Sequence, residues 1–495
     1  MKLKKSFDFK SNKLHIFMDR LKRMFLAMPF FDKVAVYVLL AILLGLGAMK
    51  FSVYYKESTK EVPYQGGSYK ELMVGEVKYL NPILAKTDAE RSLSRLIYSG
   101  LVGLDEKLTV VPDLATDWQI AEDGITYTFN LRSGVVFQNN EVLDASDVVN
   151  TFLTIQNPET KSPYYDLWKD VKVSAPSIST VQFVLPKPYG AFIFNLTMGI
   201  VDSGDLGSLV SSSAINGTGS YKLESIRNEK NSNGLSIISL NKSNAFYGRQ
   251  PYLSNLSFDV SATTRDNDFF VSNGYQGISG QEIALDDGVK HLDFSTGRTQ
   301  WLISNMKSTV LTSLENRKKV MNFENLAEPV TLNLIALDVL SQRNRVDEIK
   351  KNFEGKNVTI NAEILSAVDY RTRLEERKFD LLLYGLDYGY DRDLYSFWHS
   401  SQIAMNNFSG YSDKNSDILL EDARMIQDPV KRNEKYDQFM TMLVDNGIVK
   451  TSSPAEFNFS VKTEIKGVEG ILGQRPEDRF NGIYNWYLKT LRVSK

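Results

Sequence analysis

Between Val111 and Phe137 the apolar and polar positions alternate with unusual regularity. Ile125, Tyr127, Phe129 and Leu131 recur every second residue, with Thr126, Thr128 and Asn130 between them. Successive side chains on a strand point to opposite faces, so this is the pattern of a half-buried strand. Trp118 and Ile120 give the preceding segment the same alternation, and Asp123-Gly124 between the two fits a type I′ hairpin turn, which needs positive φ. Arg132-Ser133-Gly134 turns the chain again, and Val135-Val136-Phe137 starts a further short strand. The expectation is a β-meander.

Elsewhere the period changes to that of a helix. Thr87-Asp88-Ala89-Glu90 is a capping box opening a helix with Leu93, Leu96 and Ile97 on one face, stopped at Gly100. Asp144 caps a second helix whose face is Val148, Val149, Phe152 and Ile155. From 346 to 385 helix and strand patterns alternate: helices over 346–354 and 370–376, strands over 358–364 and 379–385. Such a βαβα rhythm implies a parallel or mixed sheet. Asp428-Pro429 supplies an N-cap followed by proline at the first helical position.

The N-terminus has its own pattern. Residues 1–33 are rich in Lys and Arg, and Leu14, Phe17, Met18, Leu21, Phe25 and Met28 fall at helical spacing, which suits either a basic amphipathic helix on an anionic surface or an unstructured tail. Val34 to Met49 carries no charge, and with Lys50 snorkelling the apolar run reaches Tyr55. That is just enough for a transmembrane segment at 34–55. The Lys/Arg excess before it places the N-terminus in the cytoplasm and the rest outside. A cleaved signal peptide is the competing reading, although a basic lead of this length is long for one. Residues 56–68, with Pro63 and Gly66-Gly67, read as a polar linker.

Composition narrows the function. At 495 residues the chain needs two or more lobes. A net charge of −2 argues against a nucleic-acid partner, whose binding needs a basic surface. The absence of cysteine excludes disulfides, thiolate metal sites, Cys nucleophiles and the usual lipoprotein anchor. Only His15, His291 and His399 are present, with no H-E-x-x-H, no P-loop and no complete nucleophile elbow. Neither an enzyme nor a cofactor is expected.

The central segment reads P-x-L-A-x-x-W from Pro112 to Trp118, then D-G-x-x-Y-x-F-x-L-R-x-G-V-x-F from Asp123 to Phe137. It resembles the extracytoplasmic solute-binding proteins of peptide-type ABC importers, the oligopeptide/dipeptide/nickel-binding family. Further motifs of that family follow in order: Leu80-Asn81-Pro82, Tyr98 to Asp105, Asn216-Gly217-Thr218-Gly219, and the helix pair before and after Asp428. Residues 261–330 match poorly, and a long loop expected there is missing, so the second lobe reads as trimmed. The resemblance implies a two-lobed α/β periplasmic-binding-protein-like fold with an added β-rich subdomain, preceded by one N-terminal transmembrane helix. Lobe I would take 69–260 and 455–495, and lobe II 261–454.

The resemblance also points to the ligand site. Asp387, Asp391 and Asp393 lie beside Tyr388, Tyr390, Tyr395 and Trp398, at the C-terminal end of a strand, where α/β sheets usually bind. In peptide-binding relatives an Asp of this loop pairs with the ligand's α-ammonium. Here Gly389 stands near the expected acid, so Asp391 or Asp393 takes that role in the expectation, with Tyr388, Tyr390 and Trp398 as neighbours. Glu76, Val77 and Tyr79 would line the cleft from lobe I, where an extended peptide can pair with backbone. The plain alternatives are a solvated acidic turn and a strand-to-helix connection. The function implied is capture of a peptide-like or other small solute between lobes and delivery to ABC permease subunits, from a membrane anchor. An anchored sensor or scaffold of the same fold is the alternative.

Overall fold

The computed structural model describes residues 17–208, 215–229, 234–284, 287–470 and 472–495. It divides into two units, residues 65–488 and a smaller one made of 1–64 with 489–495.

Within the larger unit, one sheet has seven strands, in the order Val289–His291, Phe459–Lys462, Gly277–Ser279, Ser68–Val74, Asn255–Ser261, Leu235–Lys242 and Tyr221–Glu229. Ser68–Val74 is the central strand and runs parallel to both its neighbours. It is buried on both faces except at its ends, and Tyr69, Leu72 and Met73 are core residues. The Asp88–Ile97 helix begins with the expected capping box of Thr87 and Glu90. Its buried face is Leu93, Leu96 and Ile97.

The β-rich subdomain is a four-stranded antiparallel sheet ordered Ala115–Ile120, Thr126–Leu131, Thr180–Val184, Lys172–Ser177. The alternation at 125–131 is realised, with Tyr127 and Phe129 fully buried. Two details of the meander differ. Only Gly124 adopts positive φ, so Ala121–Thr126 closes through a longer connection than a type I′ turn, with the Asp123 carboxylate accepting the N–H groups of Ile125 and Thr126. And 135–137 is not the next strand: after Gly134 the chain leaves the sheet, Val136 forming only a bridge to Val142. Thr180–Val184 takes the place, because Val181 and Phe183 continue the apolar face of Tyr127 and Phe129 onto Phe152 of the Ala145–Gln156 helix. That helix starts at the Asp144 cap.

The second lobe is built on a five-stranded sheet ordered Val358–Leu365, Val330–Leu337, Leu381–Asp387, Arg298–Ser304, Val449–Thr451. The first three strands are parallel and the others antiparallel, the mixed sheet implied by the βαβα rhythm. The chain crosses between lobes twice, at Phe294–Ser295 and Glu456–Phe457, and these two segments pair antiparallel. A boundary at 260 is therefore too early. Gly277–Ser279 and Val289–His291 still hydrogen-bond into the first sheet, because their neighbours there, Ser68–Val74 and Phe459–Lys462, would otherwise present open edges.

In the smaller unit, residues 17–27 are helical, the chain breaks at Met28-Pro29, and a 29-residue helix runs from Phe30 to Ser58. Proline disfavours helix at the residue before it, which places the break. The expected span at 34–55 lies inside this helix. Among the described residues it is the one helix long and apolar enough to cross a membrane, and by length and composition it suits an anchor or a signal sequence alike. Residues 1–16 of the basic segment lie outside the described residues. The segment expected as a linker, 56–68, is ordered differently: Thr59–Tyr64 is a strand paired antiparallel along its whole length with Lys489–Ser494. Val62, Leu491 and Val493 give these strands enough β propensity to pair despite Pro63.

Candidate functional site

The lobes meet through side chains placed by three elements. Arg298, at the start of its strand in lobe II, donates to both carboxylate oxygens of Asp88 on the lobe I helix, Nη1 to Oδ2 at 2.7 Å and Nη2 to Oδ1 at 2.5 Å. Its Nε reaches Asp387 Oδ2 at 3.1 Å. Tyr390 extends from the loop after Leu381–Asp387 and donates its hydroxyl to Asp478 Oδ1 at 2.6 Å. Its ring stacks on Phe194, with the Arg475 guanidinium over it at 5.0 Å.

Between these contacts lies a cavity of about 210 Å³. Its lobe I wall comes from the Asp88–Ile97 helix, the 164–168 turn, the 189–199 segment and the C-terminal return at 475–477; its lobe II wall is Tyr388, Tyr390 and Asp391. Some polar atoms of the residues around it, Trp168 Nε1, Asn195 Nδ2, Arg475 Nε, Asp391 Oδ1 and Glu477 Oε2, are buried behind its surface without a hydrogen-bond partner among the described residues. The cavity itself is lined from both lobes by charged, polar and aromatic side chains, the mixed lining usual for a small-molecule site.

Asp391 is the lobe II acid of this site. Its side chain is 7 % exposed. Oδ2 is held by Arg432 Nε at 2.7 Å, and Arg432 is fixed in turn by the carbonyls of Ile426 and Gln427. Oδ1 remains free. Burial pushes the Asp391 carboxyl above its ordinary value although Arg432 opposes the shift. Across the cavity burial likewise raises Glu477, against the pull of Arg91 and Arg475.

The other expected site residues lie elsewhere. Asp393 is paired with Arg424, whose Nε meets both of its oxygens at 3.0 and 3.1 Å, and it also accepts the N–H of Tyr395. Trp398 is 3 % exposed and stacks on Trp301 in the lobe II core. Glu76, Val77 and Tyr79 do not line the cavity. Part of the backbone they belong to is already engaged. Glu90 accepts the N–H groups of Lys78 and Tyr79 at Oε1 (2.8 and 2.9 Å) and those of Lys86 and Thr87 at Oε2 (2.7 and 3.0 Å), while Thr87 Oγ1 donates to the Glu76 carbonyl. The cavity thus unites Tyr388, Tyr390 and Asp391 of the sequence-derived set with Arg91, Arg95, Asn195, Arg475 and Glu477, which sequence reasoning passed over. The available signal was the i, i+4 spacing of Arg91 and Arg95, off the apolar face of their helix.

Residues 109–322 match the family model of bacterial extracellular solute-binding proteins, family 5 Middle, and the match runs through the 261–322 stretch that reads poorly by motif. The glutathione-binding protein GsiB of Salmonella paratyphi A is 34 % identical over 115 residues, 23 % of this chain and 22 % of that protein; the Escherichia coli K12 protein of the same name is 32 % identical over the same length. These alignments span under a quarter of the curated relatives. Solved structures share the fold over most of the chain. The ABC transporter substrate-binding protein CtaP of Listeria monocytogenes has a TM-score of 0.69 at 19 % identity, covering 86 % of this chain and 99 % of that one. HbpA2 of Haemophilus parasuis has 0.72 at 17 %, covering 86 % and 100 %. The oligopeptide-binding protein AppA of Bacillus subtilis, in complex with a nonapeptide, has 0.64 at 16 %, again covering 86 % and 100 %. The motifs of residues 112–137 lie inside the matched segment, so residues 109–322 are similar to the bacterial extracellular solute-binding proteins of family 5, and the chain shares the two-lobed fold of all three structures.

Proposed function

We propose that this protein is the membrane-anchored, extracytoplasmic solute-binding component of an ABC importer, and that it captures a peptide-like or other small solute in the interlobe cavity. The observation that supports this reading is the interlobe cavity, lined from both lobes by charged and aromatic side chains such as Arg91, Arg95, Arg475, Tyr388, Tyr390 and Asp391. A site assembled from two lobes binds best when they are closed, so ligand shifts the population toward the closed form and presents it to a permease. Asp391, on the lobe II wall, is the acceptor for the ligand's ammonium where the ligand has one, since a desolvated ammonium needs a charged acceptor. Tyr388 and Tyr390 flank it.

The Phe30–Ser58 helix serves as the anchor, N-terminus inside. Tethering keeps the binding lobes at high effective concentration beside the permease without any added contact.

Native mass spectrometry of protein purified without heating or denaturant tests the capture reading. Expected is a stoichiometric small-molecule adduct that is lost on unfolding and whose readdition raises the melting temperature. Neither an adduct nor any stabilisation by solute pools would refute it. Acetylating the amine of an amine-bearing ligand should weaken binding by about 2 kcal/mol or more, the usual cost of removing one side of a buried charge pair.

A further inference from the structure

Basic charge is segregated to one end of the chain. Residues 1–33 hold nine Lys and Arg against three Asp, although the whole chain carries a net charge of −2. The described part of that end, residues 17–27, is helical. At about 100° per residue, Phe17, Met18, Leu21, Met24 and Phe25 share an arc of about 120°. Arg20 and Lys22 stand at its two borders and Arg23 opposite; of the large apolar side chains in 17–27 only Leu26 lies outside it. The protein does not cover this face: Phe17, Met18, Leu21 and Met24 are 46–61 % exposed. An uncovered apolar stripe bordered by cations suits a helix lying in a membrane interface, where Arg and Lys stems cover apolar surface and their charged ends reach the headgroups.

The helix that follows sets the direction of this face. Phe25 is the one half-buried residue of the stripe, its ring meeting that of Tyr37 edge-on at 5.3 Å. Tyr37 lies in the charge-free run of the Phe30–Ser58 helix. The side of the 17–27 helix that carries Phe25 is thus the side turned toward the span. The bend between the two helices is itself held. Lys33 Nζ donates to the Leu26 carbonyl at 3.0 Å, satisfying an acceptor left open at the end of the first helix.

We propose that residues 17–27 form an interfacial helix lying on the anionic headgroup layer of the cytoplasmic leaflet, apolar face inward. This rests on the anchor reading above and extends it to the lipid surface. The span supplies proximity, so the helix needs no high affinity of its own. The leaflet supplies negative charge to Arg20, Lys22 and Arg23, which within the helix face only Asp19 as a counter-charge. The held bend at Met28-Pro29 then fixes the inner end of the anchor at headgroup level.

The chain has no cysteine, so L21C and D19C each accept a single environment-sensitive dye, one on the apolar face and one away from it. The full-length variants go into lipid nanodiscs of phosphatidylcholine, with or without roughly 30 % phosphatidylglycerol. Intact mass is measured first: a product that has lost residues through the span overturns the anchor reading and this inference together. With the span retained, the L21C dye in anionic discs should shift to the blue and be about three-fold or more less accessible to aqueous iodide than the D19C dye. That shielding should weaken in neutral discs, at high salt, and in anionic discs when R20Q, K22Q and R23Q are combined. Equal accessibility of the two dyes in anionic discs overturns this inference and leaves the anchor standing. Shielding at L21C that is the same in neutral discs and indifferent to the three substitutions removes the role of anionic lipid, and the proposal with it.

Discussion

Glu90 offers the sharpest check on how lobe I is built. It is 2 % exposed, and its two oxygens accept four backbone N–H groups from two separate segments. Glu90→Gln keeps the shape of the side chain but replaces one oxygen by an NH₂ group. The remaining oxygen can still serve two of the four N–H groups; the new amide then faces the other two, donor against donor. Each stranded donor costs about 1–3 kcal/mol when buried. The loss of negative charge at a helix N-terminus adds about 0.3–1 kcal/mol. Because these donors are only part-buried, the low end applies, and a total of about 2–4 kcal/mol is expected.

Hydrogen exchange followed by mass spectrometry reads this locally. Amides at 78–79 or at 86–87 should exchange roughly thirty- to a thousand-fold faster in the variant, while the five-stranded sheet of lobe II is unchanged. Thr87→Ala removes the cap hydrogen bond from the Glu90 N–H and the donation to the Glu76 carbonyl, and should cost about 1–2 kcal/mol, less than Glu90→Gln. If Glu90→Gln exchanges like wild type at both segments, Glu90 is not the centre of this network.

Three other outcomes follow from the same contacts. Arg298→Met removes the bridge from Asp387 to Asp88; because all three side chains are about a third exposed, the pair is worth about 1 kcal/mol or less, and small-angle scattering of the unliganded protein should show a modestly larger radius of gyration, unchanged values refuting a role in holding the lobes together. Asp205 has its carboxyl raised from 3.8 to about 6 by burial and by Asp202 and Glu141, so the folded state binds more protons than the unfolded one between these values and loses stability as pH rises through that window; Asp205→Asn should therefore melt higher than wild type at pH 7, by something of the order of 1 kcal/mol, and match it near pH 4. Arg432→Leu strands Asp391 without its cation and should cost about 3–5 kcal/mol in urea unfolding, a loss below 1 kcal/mol showing that the pair does not hold the 391 loop.

What the sequence discloses here is set by range. The caps at Thr87 and Asp144 and the alternation at 125–131 depend on residues within one or two turns of each other, and they form as read. The acidic loop shows both the success and the limit of that reading. Asp391 and Asp393 are two residues apart and look equivalent, and only their partners distinguish them. Those partners, Arg432 and Arg424, stand 41 and 31 residues further on, on different helices. Arg424 takes both oxygens of Asp393, whereas Arg432 leaves Asp391 with one free. Trp398 misleads for a related reason: an aromatic beside carboxylates suggests a stacking platform, but its fate depends on Trp301, almost a hundred positions earlier, against which it packs. The strand at Thr59–Tyr64 is invisible as such because its only partner is at the other end of the chain.

The most consequential case lies between these extremes. The capping box identifies Glu90 as a cap, yet a carboxylate has more acceptor capacity than one cap needs. The surplus lone pairs of Glu90 find the N–H groups at Lys78 and Tyr79, only 12 and 11 residues back, and so tie the preceding loop to the helix start. Two of the cationic side chains of the cavity wall, Arg91 and Arg95, stand one and five positions beyond Glu90 on the same helix. The helix that occupies the Lys78 and Tyr79 N–H groups thus also supplies guanidinium groups to the cavity, so one capping choice fixes both the course of the 76–87 loop and the helix face turned to the cavity.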